Sequence, residues 1–123
     1  MKPRLLLVDD NDANRESLVD LLGPEFEIDV AWNAKEAILL AAPGRYQVVI
    51  LDVKMPERDG ISLFEELKAN DPDLRAIFYS AYPGDYAKSE QCRKLGTFIR
   101  KGRREDLEKL ILQIRLLVEP GKE

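Results

Sequence analysis

Val48-Val49-Ile50-Leu51-Asp52 is the stretch that decides the fold, because four consecutive apolar residues lead directly into a carboxylate. A short apolar run without helical period is typical of a strand buried in a parallel sheet. Three further runs have strand length, at residues 5–8, 27–31 and 76–79, and a shorter fifth candidate lies at 97–99. The sequence therefore predicts five strands, of which the third ends next to Asp52.

Longer amphipathic stretches lie between these runs and after the last one. They predict helices over residues 14–22, 34–42, 61–70, 86–95 and 104–118. Gly23-Pro24, Pro43-Gly44 and Gly96 follow the first, second and fourth of these stretches, as expected where a helix ends. Strict alternation of strands and helices predicts a doubly wound α/β domain, in which helices cover both faces of a five-stranded parallel sheet. Ligand sites in such sheets lie at the carboxyl ends of the central strands.

The composition is that of one globular domain, and it excludes several kinds of chemistry. The 123 residues include 19 basic and 23 acidic side chains, for a net charge of -4, and 45% of the residues are hydrophobic. A chain of this size can bury a stable core without disulfides or a structural metal. Cys92 is the only cysteine, and there is no histidine, which excludes an internal disulfide, a Cys/His zinc cluster, a serine triad and autophosphorylation on histidine.

The same patterns bear on location and on partners. The apolar runs are far shorter than the roughly 20 residues that cross a bilayer, and the first is too short for a signal peptide. These features predict a cytoplasmic protein without membrane contact. The acidic balance, with no basic run longer than Arg103-Arg104, argues against direct nucleic-acid binding by this domain.

Polar side chains occur where four of the five predicted strands end. Asp9 and Asp10 follow the first strand, and Asp52 follows the third. Ser80 and Lys101 follow the fourth and the fifth. Three converging carboxylates repel one another unless a cation lies among them, and Mg²⁺ prefers such hard oxygen ligands. A nearby ammonium and hydroxyl supply the charge and the hydrogen bond that a phosphoryl group needs.

Four segments together carry a resemblance to a known family. They are Leu5-Leu6-Leu7-Val8-Asp9-Asp10, Val49-Ile50-Leu51-Asp52-Val53-Lys54-Met55-Pro56 with Asp59-Gly60, Tyr79-Ser80-Ala81, and Phe98-Ile99-Arg100-Lys101. With these segments the chain resembles, from end to end, the receiver domain of two-component response regulators. The resemblance implies the flavodoxin-like (βα)5 receiver fold, and a regulator that promotes only its own phosphorylation and dephosphorylation rather than an enzyme. Residues 1–118 are expected to form the receiver domain and residues 119–123 a C-terminal tail or linker.

Position by position, the resemblance implies roles for the acidic residues. Asp52 would be the phosphoacceptor. Mg²⁺ would be held by Asp10, Asp52 and the backbone carbonyl of Lys54, with Asp9 assisting through water. The donor would be a phosphohistidine on a partner histidine kinase or histidine phosphotransfer protein, which agrees with the absence of histidine from this chain.

The resemblance also implies how the phosphoryl group is bound and read. Ser80 and Lys101 would bind it, and Phe98 could turn inward when Ser80 moves toward it. This change would alter the surface of the fourth helix, fifth strand and fifth helix, through which receivers form homodimers or contact output domains. Lys54 and Tyr82 would flank the path of the attacking water and slow the loss of phosphate.

The last two helices carry further expectations. The fourth has few apolar residues and is expected to be among the least stable elements. The fifth has an apolar stripe that should face the sheet, while Leu112 and Leu116 point away from it and should be exposed. The stripe consists of Leu107, Leu110, Ile111, Ile114, Leu117 and Val118.

Two other functions stay open on the sequence. A phosphohydrolase of the haloacid-dehalogenase-like type forms an aspartyl phosphate, but it needs a second aspartate two positions after the nucleophile, where this chain has Lys54. A receiver-like module that acts by protein contact without phosphorylation is the other alternative. The acidic pair with Asp52, Ser80 and Lys101 argues against this alternative. Gly102 keeps it open, because this glycine replaces the proline that the family usually joins to the lysine by a cis peptide bond. Because cis bonds before other residues are costly, we expect this bond to be trans.

Overall fold

Five strands alternate with five helices in the computed structural model. The structure describes residues 2–81 and 86–118, and of residues 86 and 87 it describes only the backbone. The strands are β1 (Arg4–Val8), β2 (Glu27–Ala31), β3 (Val48–Leu51), β4 (Arg75–Ser80) and β5 (Thr97–Arg100). The helices are α1 (Asp12–Leu22), α2 (Ala34–Leu40), α3 (Gly60–Asn70), α4 (Tyr86–Leu95) and α5 (Arg104–Val118).

The strands form one parallel sheet in the order β2-β1-β3-β4-β5. Val8 is paired with Leu51, and Leu51 with Phe78, so β1 and β3 end side by side while β4 continues for two more residues to Ser80. The predicted doubly wound α/β fold with a five-stranded parallel sheet is therefore confirmed. The register brings the residues that follow β1 and β3 to one edge of the sheet.

Several boundaries differ from the prediction by one or two residues, among them ends of α1, α2 and β4. The second helix, predicted over residues 34–42, ends at Leu40 because the backbone of Ala41 leaves the helical region. The first helix begins at Asp12, since the Asn11 side chain accepts a hydrogen bond from the Asn14 amide and caps the helix there. Ser80 is the last residue of β4 rather than the residue after it.

The two faces of the sheet bury separate apolar clusters, as helices on both sides require. One cluster packs beneath α2, α3 and α4, and it includes Phe64 and Phe78, whose rings meet edge to face at 5.9 Å between centroids. The other packs beneath α1 and α5. There Leu110 and Ile114 are fully buried and the rest of the predicted α5 stripe is partly buried, whereas Leu112 and Leu116 are exposed as predicted.

The predicted tail, residues 119–123, lies outside the described residues, so the division at residue 118 stays a prediction. The helices in the described part of the chain all fall short of the length and apolar character that a membrane span requires.

Candidate functional site

The three predicted aspartates meet at the carboxyl edge of the sheet. The backbone amide of Asp52 donates a hydrogen bond to the Val8 carbonyl at 3.2 Å, which extends the pairing of β1 and β3 by one residue. One carboxylate oxygen from each of Asp9, Asp10 and Asp52 lies within 4.8 Å of the other two. Asp9 is buried, Asp52 is half-buried and Asp10 is exposed, so the cluster is open to solvent on one side.

Lys101 joins this cluster from β5. Its backbone amide donates to the Ser80 carbonyl at 2.9 Å, continuing the pairing of β4 with β5. Its Nζ lies 3.1 Å from Asp9 Oδ2 and 3.2 Å from Asp52 Oδ2, and only 12% of the side chain is exposed. The ammonium also lies 5.6 Å from the centroid of the Tyr79 ring. One buried positive charge is thus shared by two of the three carboxylates.

The two oxygens of Asp52 have different partners. Oδ1 accepts hydrogen bonds from Ser80 Oγ at 3.0 Å and from the Lys54 amide at 3.3 Å, while Oδ2 faces Lys101. The structure therefore brings Ser80 and Lys101 to Asp52 from two neighbouring strands. Lys54 lies beside Asp52 with an exposed side chain, and its backbone is in contact with the carboxylate through the amide.

Gly60 lets α3 begin directly against the loop that follows Asp52. Its amide donates to the Val53 carbonyl at 2.8 Å, and a Cβ at this position would lie 2.1 Å from the Asp52 carbonyl oxygen. Any side chain here would displace one of the two backbones. Asp59 completes the turn by capping α3, because its Oδ1 accepts a hydrogen bond from the Ser62 amide at 2.8 Å.

Two residues at this site were not predicted from the sequence, namely Asn14 and Arg15. Asn14 Nδ2 lies 3.4 Å from Asp9 Oδ2, and Arg15 Nη1 donates to the Asp9 carbonyl at 2.6 Å. The signal that could have found them is Asn11, a strong helix-capping residue two positions after Asp9. A cap there places the side chains of the first helical turns near the loop that carries the aspartates.

The donor set suits a small hard cation. Three carboxylates offer oxygen ligands only, which favours Mg²⁺ or Ca²⁺ over metals that prefer nitrogen or sulfur. The exposed Asp10 leaves room for water, which Mg²⁺ usually retains in its coordination sphere. Asp9, Asp10 and Asp52 are therefore a cluster that could hold a metal ion.

The remaining predicted residues lie around this site or apart from it. Phe98 on β5 is half-buried, with the Arg93 guanidinium 5.5 Å from its ring centroid. Gly102 has a φ of 138°, a conformation open to glycine but not to proline, and the peptide bond before it is trans as predicted. Tyr82 lies outside the described residues.

Cys92 offers no competing nucleophile. The side chain is fully buried on α4, and burial, with a smaller contribution from nearby Asp59, raises the pKa of its thiol to about 11. Very little thiolate exists at neutral pH, so this cysteine acts as a small core residue.

Comparison with known proteins assigns the chain to a family. The family model for the response regulator receiver domain matches residues 5–112. Sporulation initiation phosphotransferase F of Bacillus subtilis is 27% identical over 111 residues, which are 89% of each chain. The response regulator protein TrrA of Thermotoga maritima, solved in complex with Mg²⁺-BeF, is 31% identical and superposes with a TM-score of 0.83 over 95% of this chain and 99% of that one.

Other relatives are longer than this chain. The DNA-binding transcriptional activator DevR/DosR of Mycobacterium tuberculosis is 39% identical over 87 residues, which are 68% of this chain but 40% of that protein. A protein-glutamate methylesterase/protein-glutamine glutaminase of Vibrio cholerae is 36% identical over 72% of this chain and 24% of its own length. In these relatives the matching region is thus one part of a larger protein. By its sequence, its fold and the side chains at its sheet edge, the chain belongs to the response regulator receiver domain family of two-component systems.

Proposed function

We propose that this receiver domain accepts a phosphoryl group on Asp52, in a Mg²⁺-dependent reaction, from a phosphohistidine of a histidine kinase or histidine phosphotransfer protein. The observation that supports this most directly is the pair of contacts on Asp52. Lys101 Nζ lies 3.2 Å from one oxygen and Ser80 Oγ lies 3.0 Å from the other, beside the carboxylates of Asp9 and Asp10. A carboxylate in this setting has a cation and a hydroxyl placed for an arriving phosphoryl group.

The reaction is a phosphoryl transfer between two nucleophiles. An Asp52 oxygen forms a bond to phosphorus while the bond between phosphorus and the donor's imidazole nitrogen breaks. The electron pair of the broken bond stays on that nitrogen, and the imidazole regains a proton from solvent. The product is an acyl phosphate, and attack of water on its phosphorus later returns the Asp52 carboxylate and inorganic phosphate.

The surrounding side chains supply charge and hydrogen bonds to this transfer. The Lys101 ammonium can exchange its bonds to Asp9 and Asp52 for bonds to phosphoryl oxygens, and the Ser80 hydroxyl can turn from Asp52 Oδ1 to another of them. Asp9, Asp10, Asp52 and the backbone carbonyl of Lys54 would hold the metal. When bound, Mg²⁺ neutralises charge that accumulates on the transferred group.

We further propose that phosphorylation changes the surface formed by α4, β5 and α5, and that a partner recognises this change. Movement of Ser80 toward the phosphoryl group would open space next to it for the Phe98 ring, which now lies half-buried against Arg93. Leu112 and Leu116 lie on the outer side of α5, 57% and 59% exposed, and give this surface its apolar part. The partner would be a second copy of the domain or an output domain, which agrees with the larger size of relatives such as DevR/DosR.

The test is incubation with a small acyl phosphate and Mg²⁺, followed by intact-mass analysis. The wild-type chain should gain one phosphoryl group, and chelation of the metal should abolish the gain. Asp52→Asn should gain none, because an amide cannot form the acyl phosphate. Asp73→Asn is the matched control, since Asp73 is an exposed carboxylate away from the site, and it should be modified like the wild type.

The outcome separates this function from its alternatives. Phosphorylation of Asp52→Asn to the wild-type extent would contradict the assignment of the acceptor. A wild-type chain that gains nothing at saturating donor would instead favour the module that acts by protein contact alone. Turnover of many phosphate equivalents per chain, faster than decay of an acyl phosphate on Asp52 allows, would favour a phosphohydrolase.

A further inference from the structure

We propose that Arg15 is a positioning residue for the acidic cluster, and that it fixes the backbone between Asp9 and Asp10 so that both carboxylates face the metal site. The inference rests on the proposed function, because it concerns how the same site is built. It assigns a role to Arg15 and to Trp32, which the phosphoryl-transfer chemistry does not use.

Arg15 is anchored at three points. Its Nη1 donates to the Asp9 carbonyl at 2.6 Å, and its Nη2 is paired with the Asp12 carboxylate. The guanidinium carbon lies 5.8 Å from the centroid of the Trp32 ring. Only 13% of the Arg15 side chain is exposed, against 80% of the Asp12 side chain, so the hydrogen bond to the Asp9 carbonyl is better shielded from water than the ion pair with Asp12. Hydrogen bonds from a charged donor are stronger than neutral ones, particularly where water is excluded.

The contact on the Asp9 carbonyl has a specific geometric consequence. That carbonyl belongs to the peptide unit that joins Asp9 to Asp10, and a peptide unit is planar. Fixing the oxygen therefore fixes the direction in which the chain enters Asp10. Within the described residues the Asp10 carboxylate makes no hydrogen bond or ion pair, so its position depends on the backbone that Arg15 holds.

Asp9 itself has enough other partners to stay in place. The Asn11 amide donates to its Oδ1 at 2.9 Å, and Lys101 Nζ lies 3.1 Å from its Oδ2. Loss of Arg15 should therefore act mainly on Asp10, the exposed member of the cluster.

Trp32 explains why the guanidinium stays where it is. It follows β2 directly, it is the only tryptophan in the chain, and it is 52% exposed although large aromatic residues are usually buried. A cation against an aromatic face is attracted to it, and the planar guanidinium can stack there while it also donates hydrogen bonds at its edge. The ring thus limits the orientations of Arg15 to those that reach Asp9.

The direction of the change in Mg²⁺ affinity distinguishes loss of positioning from loss of positive charge. A positive side chain near the cluster repels a bound cation, so loss of its charge alone would strengthen Mg²⁺ binding. Arg15→Lys keeps the charge but replaces the fork of donors with one ammonium, which cannot span Asp9 and Asp12 while stacking on Trp32. Weaker Mg²⁺ binding in this variant would therefore reflect lost positioning.

The experiment is a calorimetric titration of the whole chain with Mg²⁺, together with thermal unfolding and the acyl phosphate assay. Arg15→Lys should bind Mg²⁺ about tenfold more weakly, the size of effect typical for a residue that orients a metal ligand. Trp32→Leu removes the ring at an exposed position and should weaken binding about threefold, the size expected for loss of an exposed cation–π contact. Phosphorylation of both variants should reach the wild-type extent once Mg²⁺ is raised in proportion.

Arg45→Lys is the matched control. Arg45 makes the same three kinds of contact away from the site. It donates to the Leu40 carbonyl at 3.3 Å, lies 4.0 Å from an Asp29 oxygen, and stacks 5.6 Å from the Tyr46 ring centroid. This variant should show any general cost of losing a stacked arginine and leave the Mg²⁺ affinity unchanged.

Each result bears on the proposal. Wild-type Mg²⁺ affinity in both Arg15→Lys and Trp32→Leu would overturn it, and so would an equal loss in Arg45→Lys. If Arg15→Lys fails to fold, Trp32→Leu alone decides, because the exposed ring adds little to the core. A wild-type chain that binds no Mg²⁺ and accepts no phosphate would instead overturn the proposed function, a result distinct from failure of the Arg15 variants alone.

Discussion

Gly60 is the residue where backbone packing and the proposed chemistry meet. A single methyl group at this position would lie 2.1 Å from the Asp52 carbonyl oxygen, far inside van der Waals contact. The neighbour is backbone rather than a flexible side chain, so relief requires a shift of α3 or of the loop after Asp52. Either shift changes the setting of the Asp52 carboxylate relative to Lys101 and Ser80.

We therefore expect Gly60→Ala to lower the free energy of unfolding by about 1–3 kcal/mol, a typical cost of overpacking, and also to slow phosphorylation of Asp52. Gly44→Ala is the control, because Gly44 has a φ of 77° and open space around it. That substitution should cost about 1 kcal/mol through backbone strain, without slowing phosphorylation. Urea unfolding and the rate of mass gain measure the two effects. Equal phosphorylation rates in both variants would show that Gly60 serves stability alone.

Single residues were predictable where their chemistry follows directly from strand ends. Asp9, Asp10, Asp52, Ser80 and Lys101 could be brought together from the sequence, because parallel strands place their carboxyl ends at one edge. Arg15 and Asn14 could not, since their contacts depend on where α1 begins and how its side chains turn toward the loop. The Asn11 side chain, which caps α1, determines both where the helix begins and how these side chains turn toward the loop.

The helices differ in how firmly they are packed on the sheet. In α3, Ile61, Leu63, Phe64 and Leu67 are all buried, and Phe64 meets Phe78 of β4. In α4, the described side chains that are buried are Ser89 and Cys92. An ion pair of Lys88 with Asp59 at 3.6 Å connects α4 to the start of α3, and both side chains are substantially exposed. Because exposed ion pairs contribute little to stability, this pair does not make up for the few apolar contacts that hold α4 on the sheet.

Hydrogen exchange should reveal this difference. Backbone amides of α4 are expected to exchange at least about tenfold faster than those of α3, because local opening of α4 exposes less apolar surface. The two helices have similar lengths, 10 and 11 residues, so end fraying affects them to a similar degree. Equal protection in both helices would show that contacts other than apolar burial stabilise α4. Such a result would contradict the stability order inferred from composition.

For the whole molecule, the alternation of strands and helices was enough to predict a parallel sheet with helices on both faces. Two apolar faces per strand require cover on both sides of the sheet, and right-handed parallel crossovers leave few alternatives. Helix ends were less predictable, as at Leu40, because an apolar residue beyond the last turn looks the same in sequence as one inside it. The strand order across the sheet was likewise not encoded in any single segment, since it depends on which neighbours pair best.

The last expectation concerns assembly of the whole domain. Leu112 and Leu116 lie opposite the buried stripe of α5 and are 57% and 59% exposed, on the surface proposed to respond to phosphorylation. Covering both could contribute roughly 3 kcal/mol at most, before the cost of association is subtracted. That free energy is too small for a stable dimer of the free domain, but it is enough to shift the equilibrium between monomer and dimer. We expect weak self-association in sedimentation velocity, strengthened by the acyl phosphate donor with Mg²⁺.

Replacing both leucines with glutamate should remove the increase in self-association. The glutamates of one copy would then face the glutamates of the other, and like charges repel. Leu39→Glu is the control, since Leu39 is 77% exposed on α2, on the opposite side of the sheet from α5. It adds charge and removes an exposed leucine elsewhere, so self-association should stay as in the wild type. If Leu39→Glu abolishes the increase and the double variant keeps it, copies meet through the face of α2 and the outer leucines of α5 are ordinary surface residues.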